Sequence, residues 1–344
     1  MTRVRKEWIE ARRRLRDAFD KHRCYVPSSA KEARLLRRHV LEDDVVEPFP
    51  QLFADAALWE GLRRNERELQ VIRGYALMHP NAVFCSTSAV LLHGLPASFN
   101  QLGIIHLYTN VASPTASTAR VARHAVTNPA YTTIDGVKVA SIAQAAVESM
   151  CASPFADGLA VADGLLRRLD IDREFLGEIV NELSARRKGA ATARRVAAYA
   201  DARAESGGES VARGIMICEG LVPTDLQRML RDPVDGRGTY YADFVFELRD
   251  GKTVIGEFDG KAKYVDPALL GDKTTIGTLL DERKRESHIT LLGMPVARFT
   301  WNDVRTRGRL CQILAAAGVT SETLVPCDYR SRPVAPRWLS RAIS

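Results

Sequence analysis

The chain of 344 residues carries 49 Lys+Arg against 42 Asp+Glu, a formal net charge of +7, and is 46% hydrophobic and 26% charged. That balance belongs to an ordinary globular protein of two or three domains with a core that needs no disulfide staples, and it excludes collagen-like, low-complexity and disordered chains. No apolar run approaches the ~18–20 residues that span a bilayer, the charged start lacks an apolar signal-peptide core, and the six cysteines are scattered without zinc-ligand spacing, so a cytoplasmic protein with no membrane partner is expected.

The charge is unevenly placed. Residues 1–40 hold 13 Lys+Arg and 5 Asp+Glu, a local net of +8, so the remainder nets −1. A basic arm on a near-neutral chain suits a polyanion, of which nucleic acid is the commonest; a solvated arginine-rich helix is the plain alternative. Lys6–Lys21 has helical spacing, with Trp8, Ala11, Leu15, Ala18 and Phe19 on one stripe and Arg12, Arg13, Arg14 and Arg16 largely off it. After Tyr25-Val26-Pro27, Ser28 or Ser29 caps a second helix, Ala30–His39, which carries Arg34, Arg37 and Arg38. The extended, proline-punctuated stretch 45–53 follows. Helix, turn, helix and an extended piece is the order of a winged helix-turn-helix, in which a helix enters the major groove and arginines on phosphates set its register.

Helical spacing resumes over Ala57–Met78, and 81–85 is a short strand candidate. A helix over Ser88–His93 is closed by Gly94, and His93 before that glycine reads as packing or capping. Ile104–Thr109 reads as a strand, and Asp135-Gly136 between Tyr131–Ile134 and Val137–Ala140 marks a hairpin. Helices are expected at Ile142–Cys151, Phe155–Arg168 and across 174–204, where Glu205–Ser210 breaks the pattern and sets a boundary near residue 200.

Chemistry concentrates beyond that boundary. A helix Ser210–Glu219 leads to strands Tyr240–Leu248 and Thr253–Asp259 around the turn 249–252. Asp243 sits on the first strand; Glu257 and Asp259, two apart on the second, share a face. Charges at the end of an apolar strand are costly unless solvated, paired or metal-bound. Convergent carboxylates near Lys261 suit a hard cation such as Mg²⁺ or Mn²⁺, which would activate a water for phosphodiester attack; a solvated hairpin with cross-strand ion pairs is the alternative. A charged helix, Asp281–Leu292, carries Arg283 and Arg285 within reach of a phosphate or on an exposed face; a third strand, Gly293–Thr300, and a helix from Trp301 follow. Residues 205–304 net −4 and residues 305–344 net +5, an acidic segment between two basic ones.

The order helix, strand, strand, helix, strand, helix, with Glu209, Asp243 and Glu257 on its first three elements, resembles the PD-(D/E)XK nuclease-like superfamily, in particular its very-short-patch-repair-endonuclease-like branch. The run Gly256–Tyr264, Glu282–Glu286 and Arg298–Trp301 carry that resemblance, over roughly residues 205–304. Upstream, Ser88–Leu95 and Ile134–Val139 resemble the AbiEi-type antitoxin region of type IV toxin–antitoxin systems.

The fold these imply is an α+β, or α/β, multidomain chain. Residues 1–60 form a winged helix-turn-helix, 61–200 a mixed α/β antitoxin-like region, and 201–344 a restriction-endonuclease-like αββαβα core. The nuclease resemblance implies Asp243 and Glu257 as metal ligands, with Glu209 as a helix-borne partner and Lys261 assisting from beyond Gly260, these four being the expected catalytic residues; Asp259, on the same strand face as Glu257, is expected as a further metal ligand. The superfamily's lysine falls two residues after Glu257, where this chain has Asp259. DNA contacts are expected from Arg12, Arg13, Arg16, Arg34, Arg37, Arg38, Arg283 and Arg285. The expected function is a DNA-binding, Mg²⁺-dependent endonuclease-like protein. The alternative is a non-catalytic antitoxin-type transcriptional regulator with a degenerate nuclease domain, whose implied partner is a nucleotidyltransferase-like toxin.

Overall fold

The computed structural model describes residues 3–97, 99–112, 115–234, 238–260, 287–288, 291–306 and 308–327. The chain divides into two compact units, Met1–Ser149 and Met150–Ser344, where the sequence suggested three regions. No helix among the described residues is long and apolar enough to cross a membrane.

The first unit opens with helix α1 (Arg3–Asp20) and helix α2 (Ala30–Val40), capped by the Ser29 side chain, which accepts from the Glu32 N–H. Strands β1 (Val45–Phe49) and β2 (Leu52–Asp55) pair antiparallel. Ala11 and Leu15 of α1, Leu35 and Leu36 of α2, and Val45 and Phe53 of the hairpin share one small core. Burying those stripes turns the arginines outward. Helices α3 (Ala56–Glu60) and α4 (Arg64–Met78) replace the single helix expected over 57–78. The Glu66 carboxylate accepts from the Arg63 N–H at 2.7 Å and starts a fresh helix there.

Helix α5 (Ser86–Leu92) follows, then the parallel strands β3 (Ile105–Asn110) and β4 (Val121–Val126). Residues 81–85 form no regular strand; Phe84 alone bridges to Leu107 and Val139. Strands β5 (Thr132–Ile134) and β6 (Val137–Val139) make the expected hairpin, with Asp135 at φ +48° and Gly136 at φ +79° in the left-handed turn that such a dipeptide favours. Helix α6 (Ile142–Ala152) crosses the boundary.

The second unit begins with helices α7 (Phe155–Leu169), α8 (Arg173–Leu183), α9 (Ala190–Tyr199) and α10 (Gly207–Cys218). Four strands, β7 (Asp225–Arg231), β8 (Thr239–Glu247), β9 (Thr253–Asp259) and β10 (Val296–Thr300), form one sheet in the order β10-β9-β8-β7. The first three are antiparallel and β10 runs parallel to β9. Helices α11 (Trp301–Arg305) and α12 (Arg309–Ala316) complete the described part.

The expected strand pair is therefore a strand trio. Strand β7 (Asp-Leu-Gln-Arg-Met-Leu-Arg) lies at the sheet edge, where only Leu226 and Leu230 are buried, so its apolar pattern is thin. The helix expected over 281–292 falls mostly outside the described residues. One sheet face, with Phe244, Phe246, Val254, Phe258 and Phe299, packs on Val211, Ala212 and Met216 of α10 and on Leu310 and Leu314 of α12. A second, smaller cluster at the sheet gathers Leu230, Ala242, Val245 and Ile255.

Helix α10 is fastened to α7 by a buried ion pair. Arg213, fully buried, donates through Nη2 to both Asp163 carboxylate oxygens at 2.8 and 2.7 Å and through Nη1 to the Tyr199 carbonyl at 2.7 Å. At Gly214 an added Cβ would stand 2.5 Å from Ala156 Cα, so only glycine permits this helix approach. Removing one partner of a buried pair leaves an uncompensated charge. Arg213→Ala is expected to lower stability by about 3–5 kcal/mol in urea denaturation, far more than Arg34→Ala on the exposed face of α2.

Candidate functional site

The carboxylates of the second unit are assembled from α10, β8 and β9. Ser206 caps α10: its hydroxyl accepts from the Glu209 N–H at 3.1 Å and donates to Glu209 Oε1 at 2.7 Å. Glu209 Oε2 accepts from the Glu205 N–H at 2.8 Å, so this carboxylate closes a capping motif. Gly208, just before it, lies against the Phe258 ring, which would stand 2.5 Å from an added Cβ. That contact sets the start of α10 on β9.

Gln227 on β7 links the carboxylates. Its Nε2 donates to Glu209 Oε2 at 3.2 Å and to Asp243 Oδ1 at 3.1 Å. Gln227 adopts φ +49°, an unusual conformation for a strand residue. Asp243 Oδ2 accepts from the Phe258 N–H at 2.8 Å. The β8–β9 register runs as far as Phe244 opposite Gly256; Asp243 precedes that pair on β8, and Glu257, which is buried, follows it on β9. Asp259, at the strand end, lies 3.9 Å from Arg298 Nη1 on β10. Burial, reinforced by the charge of Asp243, raises the Glu209 pKa to about 7.

The structure thus brings Glu209 and Asp243 onto one amide and puts Glu257 on the neighbouring strand β9. It does not gather Asp243, Glu257 and Asp259 into one tight cage, because the three do not have ligand atoms all within 4.8 Å of one another. Lys261, Arg283 and Arg285 lie outside the described residues. Gln227 carried no motif in the sequence, because it sits on a strand without a clear apolar period; Arg298 lay in a run that carried the nuclease resemblance but was given no role at the site. The oxygen donors Asp243 and Glu257 fit a hard divalent cation with several of its own waters, and Asp259 is engaged by a guanidinium.

In the first unit the arginines divide. Arg12 lies 3.6 Å from Asp55, Arg13 pairs with Glu10 at 2.9 Å, and Arg37 donates to both oxygens of Glu47 on β1 at 3.0 and 2.9 Å. Arg16, Arg34 and Arg38 are exposed and make no ion pair among the described residues. Arg34 and Arg37 line an open cleft with Pro27, Ser28, Ser29 and the hairpin-tip residue Gln51. A basic helix beside a hairpin tip is a surface that a nucleic-acid backbone can follow.

Compared with known proteins, the chain matches no family model and no curated protein.

The Glu209 shift has a testable sign. With a folded pKa near 7 against 4.5 unfolded, the folded state holds the proton more tightly, so this group favours folding most below pH 4.5 and that advantage is lost as pH rises toward 7. In EDTA, Glu209→Gln is expected to flatten the stability profile between those limits. The wild type should fall relative to the variant by on the order of 3 kcal/mol, read from urea midpoints.

Proposed function

We propose that the chain is a DNA-binding protein whose second unit is a metal-dependent nuclease-like domain. The observation that carries this reading is the mixed sheet, three antiparallel strands with a fourth parallel one, with Asp243 on one of its two central strands and Glu257 on the other, each one residue beyond the last β8–β9 pair. This is the placement expected of the PD-(D/E)XK-like core. The arrangement of α1, α2 and the β1–β2 hairpin supports a winged helix-turn-helix in the first unit.

In this reading Asp243 and Glu257 hold the cation. A bound Mg²⁺ or Mn²⁺ supplies charge neutralisation at the phosphodiester and a more acidic water. Gln227 and the Phe258 N–H hold the Asp243 carboxylate in place. Glu209, with its pKa near 7, takes or releases a proton at its carboxylate as the charge beside it changes. Arg34 and Arg38 meet phosphates, with Arg37 braced against Glu47.

One observation favours a second reading. Asp259 occupies the place of the superfamily's lysine and stands against Arg298, and Glu209 is committed to a helix cap. Such a site suits a non-catalytic, antitoxin-type regulator that binds its own operator and a nucleotidyltransferase-like toxin.

Plasmid incubated with the protein and Mg²⁺ or Mn²⁺ separates the two. The nuclease reading expects cleavage that EDTA stops and that Asp243→Ala/Glu257→Ala reduces to background. Metal-independent cutting, equal cutting by the variant, or none removes it. For DNA binding, Arg34→Ala/Arg38→Ala is expected to weaken duplex affinity across sequences and to lower the salt slope by about two, one per phosphate contact, in anisotropy titrations over 50–200 mM salt.

A further inference from the structure

Apart from the carboxylates of the sheet, the corner between α2 and β1 gathers an imidazole and two more carboxylates. His39 lies on the last turn of α2, Glu42 in the following turn, and Asp44 immediately before β1. His39 Nδ1 is 2.7 Å from Glu42 Oε2 and 3.5 Å from Asp44 Oδ2. Among the described residues this is the only trio of such groups with ligand atoms all within 4.8 Å of one another.

The backbone is bent to make this corner. The Asp44 N–H donates back to the His39 carbonyl at 3.1 Å, and Asp43 takes φ +59° between them. The imidazole is held from behind: Trp8 of α1 stacks on it, 3.5 Å between centroids and 13° from parallel. The His39 side chain is only 16% exposed, whereas Glu42 and Asp44 are 60% and 51% exposed. The group is therefore closed on the protein side and open to water on the other.

One detail separates this cluster from a simple ion pair. His39 Nδ1 has no accessible surface and makes no hydrogen bond of acceptable geometry, although Glu42 Oε2 stands at 2.7 Å. The nitrogen faces the carboxylates without being aligned to either. A cation bonded at about 2.0–2.2 Å to one nitrogen and two oxygens spaces its ligands by roughly 3–3.5 Å, which the two distances bracket. One imidazole with two carboxylates suits Zn²⁺ and its neighbours Co²⁺ and Mn²⁺; Mg²⁺ and Ca²⁺ prefer oxygen alone.

We propose that His39, Glu42 and Asp44 form a binding site for a divalent transition-metal ion of the Zn²⁺ class, with water completing the shell, and that the bound ion fastens the end of α2 to the start of β1. This site is independent of Asp243 and Glu257 and of any activity there.

The test is calorimetric titration of metal-free full-length protein with ZnCl₂, and in parallel with CoCl₂, in excess Mg²⁺ to occupy hard oxygen sites. Wild type is compared with His39→Ala and with Glu42→Gln/Asp44→Asn, which keeps the ring on Trp8. The proposal expects one tight equivalent of Zn²⁺ in the wild type that is lost, or weakened more than about tenfold, in both variants, and a visible Co²⁺ absorption band that disappears with it. Should His39→Ala fail to fold, the double amide variant decides alone. Equal stoichiometry and affinity in wild type and the double amide variant would overturn the site, as would an equivalent that only His39→Ala removes.

Discussion

The second unit depends on the Arg213–Asp163 ion pair. Both side chains are withdrawn from water, at a desolvation cost that only close, well-aligned bonding offsets. Arg213 meets that condition with both Asp163 oxygens and the Tyr199 carbonyl, while Asp163 also accepts from the Asp201 N–H at 2.8 Å. One guanidinium thereby fixes α10 against α7 and against the end of α9. Gly214 lets the two helices approach closely enough for the pair to form. The first turn of α10 carries Ser206's cap and Glu209, so a rotation of this helix would move Glu209 away from Gln227 and Asp243.

Charge at the sheet follows from that placement. Glu209 and Asp243 are drawn together in a poorly solvated place, where two full negative charges repel. The amide of Gln227 between them donates to both, and the rise of Glu209's pKa to about 7 is the remaining accommodation. A cation on Asp243 and Glu257 would relieve the same repulsion in another way. In the first unit part of the positive charge is paired, Arg12, Arg13 and Arg37 being engaged by Asp55, Glu10 and Glu47. Arg16, Arg34 and Arg38 remain as outward charge.

Features fixed by local chemistry were legible in the sequence. The Asp135-Gly136 turn, the serine cap of α2 and the strand Thr253–Asp259 stand where spacing and turn residues put them. The hairpin of β8 and β9, with a carboxylate on each arm, also followed from the short connection between two apolar strands. What was not legible depends on contacts far apart in sequence. Strand β7 has too few buried residues to show a period, so Gln227, which joins Glu209 to Asp243, went unnoticed. Arg213 lies in a helix read only as the element that leads to the strands, and its partner lies 50 residues upstream. His39, Glu42 and Asp44 lie close in sequence but at no recognised ligand spacing; Trp8, from another helix, makes the corner visible.

In the proposed reading Asp243 and Glu257 jointly hold a divalent cation at the end of the β8–β9 pair. Crystals grown or soaked with Mn²⁺ test it most directly, because the anomalous scattering of Mn²⁺ locates the ion without reference to activity. An anomalous peak is expected at coordinating distance, about 2.0–2.3 Å, from carboxylate oxygens of both residues, and is expected to be lost in Asp243→Asn crystals. Millimolar Mn²⁺ with no peak between them, in crystals where both side chains are ordered, would contradict it.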